Sequence, residues 1–420
     1  MLLVIPTVIE CCDGRIFIDG DFSNNLESYL QNFEHVSLLC PAIMHAGAFP
    51  NVRDVDAIAG HERLSITVLP EPYREDRYVF RKRAVSATLR RELAAADYIL
   101  ISPHAPFDWS TLAAELCIAM GIPYNMEADW DLPQVSRYIW SQMPFGLRKL
   151  RKLLWQKYYD PKYLRCLRNS TLSLTQGRDI YNAYKGLAPN CHEVLNVQVT
   201  ETDHITADQL TAKLNAARTR EKLKIFYGGR AIDIKGPFHW IDTIDALHQS
   251  GIPVEATWVG EGPCLDRMRQ IVAERKLEGI CHLPGKVSRD EVKARLLDAD
   301  LLLFCHMTKE SPRCLVEALA AGTPIVGFGT AYAESLVEAK GGGRFVSCGD
   351  TRELIATACQ IAEDRASLAE LIAQAAASGA LLDRDRAILH RIALMKTHLG
   401  SQRQGSPLPV LPKPLVSALG

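Results

Sequence analysis

Four charged side chains in the second half of the chain stand where a phosphorylated ligand would need them. Arg230 and Lys235 lie in "YGGRAIDIKGP" (227–237), directly after a short apolar run, with Gly228, Gly229 and Gly236 around them. Two cations on a glycine-rich turn at a strand end suit a diphosphate. Glu310 and Glu317 lie in "ESPRCLVEALAAGTPIVGFGT" (310–330). Ser311 followed by Pro312 predicts a helix start, with Ser as N-cap and Pro at the first helical position. Gly322 before Thr323-Pro324 predicts its end. One carboxylate thus precedes the helix and the other lies inside it. The free N–H groups and dipole of the first turn favour an anion. A phosphate docked there leaves both carboxylates to accept hydrogen bonds from sugar hydroxyls, and it would explain Arg313 in a turn that disfavours a cation. The competing reading is an ordinary crossover helix with surface charges.

These residues need a scaffold. The chain has 420 residues, a length for two domains, with 47% hydrophobic and 23% charged residues and a formal net charge of −1, which gives no whole-chain argument for nucleic acid. In the first half, runs at 2–9, 35–40, 64–69, 97–102, 122–128, 171–175 and 191–197 read as strands, with helical patterns at 22–33, 79–95 and 107–120 between them. Runs that are apolar throughout argue for a parallel sheet covered on both faces. Residues 199–221 are polar and read as a linker. The alternation restarts with strands at 222–229, 254–260, 280–285, 300–305 and 324–328. "WVGEGP" (258–263) and "LPGKVSRDEV" (283–292) each end a strand in a glycine loop, so four strand ends of one sheet carry ligand-type loops. The expected domains are 1–200 and 201–382. A final helix at 383–399 is expected to pack back on the first, and residues 400–420 form a proline-rich tail.

The series "GGR-x4-KG", "VGEGP-x-L", "LPGKVSRDEV", "ADLLLF", "ESPRCLVEALAAGTPIVGFGT" and "GGGRFVSCGD" resembles the C-terminal domain of glycosyltransferase family 4, over about residues 222–375. The resemblance implies an α/β GT-B fold: two Rossmann-like domains with parallel sheets facing a central cleft. It implies a retaining enzyme that needs no metal or other cofactor and takes a nucleoside-diphosphate sugar as donor. By position, Gly229, Arg230, Lys235 and Gly260 would border the diphosphate. The backbone at Lys286 and Val287 would meet the base, and Arg313, Cys314 and Leu315 the distal phosphate. Glu317 would bind the ribose, and Glu310 the transferred sugar. Three departures stand out. The glutamates are spaced E-x6-E where the family has E-x7-E, so strict spacing selects Lys309. We favour Glu310, which keeps its place before Ser-Pro. The strand-end histidine of many members is replaced by Glu127 or Asp129, and His104 in "SPHAP" could substitute as a catalytic group. The glycine-rich first loop is reduced to "DGDFSNN" (19–25). No Asp-x-Asp motif is read near the proposed cleft to hold a divalent ion.

Residues 143–170 carry eight Lys or Arg against one acid, Asp160, with Leu147, Leu150, Leu154, Trp155 and Tyr158 at helical spacing. A basic amphipathic helix suits an anionic membrane surface. A second basic stretch, 81–93, lies in the same domain. The competing reading packs the apolar face into the core. A glycan or lipid-linked acceptor in cell-surface polysaccharide assembly follows from the helix and the resemblance, at the inner face of the plasma membrane. No run of about 18 apolar residues exists, and residues 1–10 read as a strand, not a signal peptide. The 12 cysteines form no C-x-x-C pair and read as buried thiols of a cytoplasmic protein. Two other functions fit the same residues: a GT-B-fold sugar-nucleotide epimerase, and a non-catalytic subunit that binds nucleotide sugar.

Overall fold

A computed structural model describes residues 1–44, 51–70, 75–104 and 108–404. Of the proline-rich tail read at 400–420, residues 400–404 continue the last helix and the rest lies outside the described residues. The chain divides into two compact units. Among the described residues, one is Met1–Leu195 together with residues 385–404, and the other is Asn196–Arg384.

The sheet of the first unit runs Cys191–Val194, Leu172–Gln176, Asn125–Ala128, Ile99–Ile101, Leu2–Val4 and Val36–Ile43, all parallel. Leu64–Leu69 pairs in parallel with Val36–Ile43 along its length. The run read as one strand at 2–9 is two, Leu2–Val4 and Ile9–Cys12, interrupted around Pro6, which cannot donate to a ladder. Ile9–Cys12 and Arg15–Asp19 form an antiparallel hairpin, so this sheet is mixed. Its turn is Asp13-Gly14, both left-handed at φ 50° and 76°, as a two-residue hairpin requires. Residues 19–25 are not a phosphate-type loop: Asp19 caps the helix Gly20–Asn32 by accepting from the amides of Asp21 and Phe22. Ile388, Ile392, Met395 and Leu399 of the last helix, Arg384–Gln404, share a core with Leu3, Leu38 and Leu174.

The second unit has six parallel strands in the order Cys281–Gly285, Val254–Val259, Leu223–Gly228, Leu301–Phe304, Ile325–Phe328, Gly343–Val346. Successive strands are added in one direction from Leu223–Gly228 and then in the other from Leu301–Phe304. The topology therefore switches between these two strands, where an open α/β sheet leaves a crevice at its carboxyl edge.

Residues 199–221 are no linker: they contain the helix Ala207–Thr219, with Thr206 and Gln209 in a capping box. Its Lys213 is buried. The ammonium donates to the carbonyls of Leu296 (2.9 Å) and Ala321 (3.1 Å) and to Thr323 Oγ1 (2.6 Å). It thereby holds the turn that ends the helix Arg313–Ala320, with Gly322 at φ 63°. Burial pulls the Lys213 pKa down to about 7. Between that value and its ordinary 10.5 the unfolded chain binds the extra proton, so stability rises with pH across this window. We therefore expect the stability of the wild type relative to Lys213→Met to grow from pH 7 to pH 9, by at most about 1.4 kcal/mol per pH unit. Urea denaturation at both pH values measures it, and a flat difference would contradict it.

Candidate functional site

The loops at the carboxyl edge of the second sheet are fastened to one another through backbone. The amide of Gly229 donates to Val259 O (2.9 Å), that of Ala231 to Glu261 O (2.9 Å), and that of Gly260 to Gly285 O (2.7 Å). Gly260, at φ 130°, lies so close that a Cβ there would sit 2.1 Å from Gly229 O. Gly236, at φ 62°, opens the helix Pro237–Gln249, and a Cβ there would sit 2.0 Å from Cys305 O. These glycines serve close loop packing.

The two strands flanking the switch point each deliver one charge. Lys235 follows Leu223–Gly228 and Glu310 follows Leu301–Phe304. Lys235 Nζ donates to Glu310 Oε1 at 2.8 Å, with side chains only 11% and 12% exposed. Behind the carboxylate lies His306, whose Nδ1 is 3.6 Å from the same oxygen and whose Nε2 is 2.7 Å from the Tyr227 hydroxyl. Burial, and the Lys235 ammonium nearby, push the His306 pKa well below its ordinary value, so the ring is neutral. A Cβ at position 229 would meet that hydroxyl at 2.8 Å, which explains a glycine there. Sequence reading missed His306 and Tyr227. The signals were a histidine one helical turn's spacing before Glu310 and a tyrosine two residues before Gly229.

The other expected residues occupy the same edge. Arg230 and Lys286 are exposed, and Val287 is half-buried. Lys309, the strict-spacing alternative, is exposed, whereas Glu310 is the residue paired with Lys235. The helix starts one residue later than read: Pro312, extended at ψ 127°, and not Ser311, is at the N-cap position. Arg313 is exposed in the first turn. Leu315 is buried and its amide donates to Pro312 O at 3.3 Å. Burial pushes the Cys314 thiol up to about 12, and the surrounding charges are those of Lys235, Glu317 and Glu310. Glu317 is half-buried.

His104, Glu127 and Asp129 belong to the first unit. Pro103, His104, Asp129, Trp130, Leu132 and Tyr163 line a pocket of about 170 Å³. His104 Nε2 is 3.5 Å from Asp129 Oδ2, and its amide donates to Asp108. Burial opposes protonation of His104, but Asp129, Asp108 and the Ser102 carbonyl outweigh it and push the pKa up to about 9. Glu127 is ion-paired with Arg391 and accepts from Gln176 Nε2 at 3.2 Å. An Asp-x-Asp sequence, Asp129-Trp130-Asp131, does occur here, but its carboxylates are engaged. Asp129 meets His104 and Gln176, while Asp131 caps the helix Leu132–Ser141 and accepts from Tyr184. Among the described residues no three His, Cys, Asp or Glu side chains are grouped to hold a metal ion.

Residues 211–378 match the family described as Glycosyl transferases group 1. Over 138 residues the chain is 32% identical to the putative colanic acid biosynthesis glycosyltransferase WcaL of Escherichia coli K12, a match spanning 31% of this chain and 34% of that protein. The chain thus matches about a third of that relative's length. Among solved structures, sucrose-phosphate synthase from Thermosynechococcus elongatus matches with a TM-score of 0.67 at 15% identity, covering 96% of this chain and 99% of the other. Anabaena Alr3699/HepE in complex with UDP matches with a TM-score of 0.63 at 15% identity, covering 93% and 98%. At these identities the likeness concerns the fold: two Rossmann-like units of the GT-B architecture.

The His104–Asp129 contact gives a direct check. A raised pKa means that the pair stabilises the fold below pH 6.5, an effect lost as pH rises through about 9. Asp129→Asn removes both the hydrogen bond and the charge, so the His104 pKa should fall from about 9 toward its ordinary value. Histidine NMR titration measures it, and a value still near 9 would refute the assignment.

Proposed function

We propose, for a chain whose residues 211–378 match the family described as Glycosyl transferases group 1, that it transfers a sugar from a nucleoside-diphosphate sugar to a glycan or lipid-linked acceptor, with retention of configuration and without a bound metal. The observation that carries this reading is the Lys235–Glu310 pair, one cation and one carboxylate delivered by the two strands flanking the switch point. As the sugar leaves, negative charge collects on the diphosphate. Lys235, the exposed Arg230 and the start of the helix Arg313–Ala320 are placed to stabilise that charge, which strengthens in the transition state. Glu310 orients the transferred sugar and Glu317 accepts from the ribose hydroxyls. The likeness to a colanic acid biosynthesis protein supports a polysaccharide acceptor.

The test uses titration calorimetry with UDP, GDP, ADP and dTDP, and donor turnover, all in EDTA. Lys235→Ala should weaken the nucleotide that binds by about 10- to 100-fold, the size of one charge-assisted contact to phosphate. Glu310→Ala should lower turnover yet bind the sugar-free nucleotide at least as well as the wild type, because it removes the carboxylate competing for Lys235. Unchanged affinity in Lys235→Ala, or activity that EDTA abolishes and magnesium restores, would overturn the reading.

The first unit supplies the second part of the proposal, a reversible hold on an anionic membrane surface. The helix Leu147–Arg168 is divided. Tyr159, Tyr163, Cys166 and Leu167 join the core, whereas Leu147 (86% exposed), Leu150, Leu154 and Tyr158 face outward behind Phe145 (95%). Packing against the core therefore accounts for the second half only. Arg148, Lys149, Arg151 and Lys152 stand among the exposed apolar residues. Val79 and Phe80, beside the basic residues 81–83, are exposed too. Basic side chains contribute roughly 1 kcal/mol each near an anionic bilayer and are screened by salt. No described helix is long and apolar enough to cross a membrane. Cosedimentation with anionic vesicles should fall steeply with salt and be lost when those four residues become Gln, with nucleotide affinity unchanged. Equal binding to neutral vesicles, or none at low salt, would contradict it.

A further inference from the structure

His306 has no role in the reading above, yet it is enclosed at the centre of the site. It is 2% exposed, with Tyr227 and Phe304 set edge-on to its ring at 5.7 and 5.5 Å between centroids. A neutral imidazole carries one proton, so its two nitrogens do different things. Nδ1 faces Glu310 Oε1 at 3.6 Å, and a bare lone pair directed at a carboxylate oxygen would repel it. Nε2 lies 2.7 Å from the Tyr227 hydroxyl, which can donate as well as accept. The arrangement that leaves no bare lone pair facing the carboxylate is Tyr227 O–H donating to Nε2, with Nδ1–H directed at Glu310.

Without donor, Glu310 Oε1 is held by Lys235. Resting on the proposal that Lys235 engages the diphosphate, the carboxylate loses part of that partner whenever the nucleotide sugar binds. We infer that His306 is then the positioning residue for Glu310: its Nδ1–H, oriented by Tyr227, takes over the carboxylate and keeps it aimed at the sugar while Lys235 turns to phosphate. The 3.6 Å separation is just beyond hydrogen-bond length, a poised contact that a small rotation of Glu310 closes.

Two measurements test this. Long-range ¹H–¹⁵N NMR of the full chain with ¹⁵N-labelled histidine resolves tautomers. Among the 12 histidines, His306 is assigned by the signal missing from His306→Asn. The Nδ1–H form is expected at pH 7 and in Tyr227→Phe should give way to a mixture; the Nε2–H form in the wild type would overturn the inference without touching the glycosyltransferase reading. Kinetics then separate positioning from simple support. His306→Asn places an amide near Nδ1, and His306→Gln places one near Nε2. Turnover of the nucleotide sugar should fall about tenfold in His306→Gln, the worth of one hydrogen bond to a charged group, and clearly less in His306→Asn. Affinity for the sugar-free nucleotide should stay within about twofold in both. Equal losses in the two variants would contradict the role. A Glu310→Ala variant with full turnover would instead sink the underlying functional reading, so the two failures are distinguishable.

Discussion

The Lys235–Glu310 contact is the constraint on which the second unit's site depends. Two opposite charges this enclosed are costly to desolvate and must keep each other or find a better partner. They come from loops that follow different strands, so their meeting requires Leu223–Gly228 and Leu301–Phe304 to be adjacent and their carboxyl ends level. The parallel register sets that, with Ile225 opposite Leu301 and Phe226 opposite Leu302. The glycines then make the approach possible. Gly236 lets the Lys235 loop lie against the Cys305 carbonyl, and Gly260 lets the neighbouring loop rest on Gly229. Tyr227 and His306 fill the space behind the carboxylate. A pair already formed without ligand is pre-organised, so a diphosphate meets a cation held in place instead of a mobile lysine.

The two units carry different parts of the proposed activity. The second is a parallel sheet with short, mutually bonded loops at one edge, where the proposed anion site lies. The first adds a mixed sheet extension, a pocket with an aromatic and carboxylate lining at Asp129 and Trp130, and a helix whose outer half displays leucines between basic residues. That helix is held at its core end by Tyr159, Tyr163 and Leu167, so its outer half is presented on a fixed stem.

Local chemistry was legible in the sequence, and long-range chemistry was not. Gly322 marked a helix end because that position depends on neighbouring backbone alone. Thr206 and Gln209 carried an equally local capping signal, but the helix they open buries little besides Lys213 and Ala217 and so reads as polar chain. Asp13-Gly14 signalled a hairpin that the apolar run before it concealed. Ser311 was the expected cap of its helix, yet the fixed φ of Pro312 with an extended ψ ends the loop one residue later. Glu310 was favoured over Lys309 by its place before Ser-Pro. That it would meet Lys235, with His306 behind, required the strand order, since 75 residues separate the pair. The enclosed lysine at 213 was invisible for the same reason: its three acceptors lie 83 to 110 residues away.

The central claim is that the carboxyl edge of the second sheet receives a nucleoside diphosphate at the Lys235–Glu310 pair. Hydrogen–deuterium exchange of the intact chain, with and without a saturating nucleoside diphosphate from the four-base panel, locates binding by peptide. Protection concentrated in residues 228–237 and 309–318, with the opposite edge of the same sheet unchanged, is the result this account predicts. Saturable binding with no protection in those two segments would contradict it.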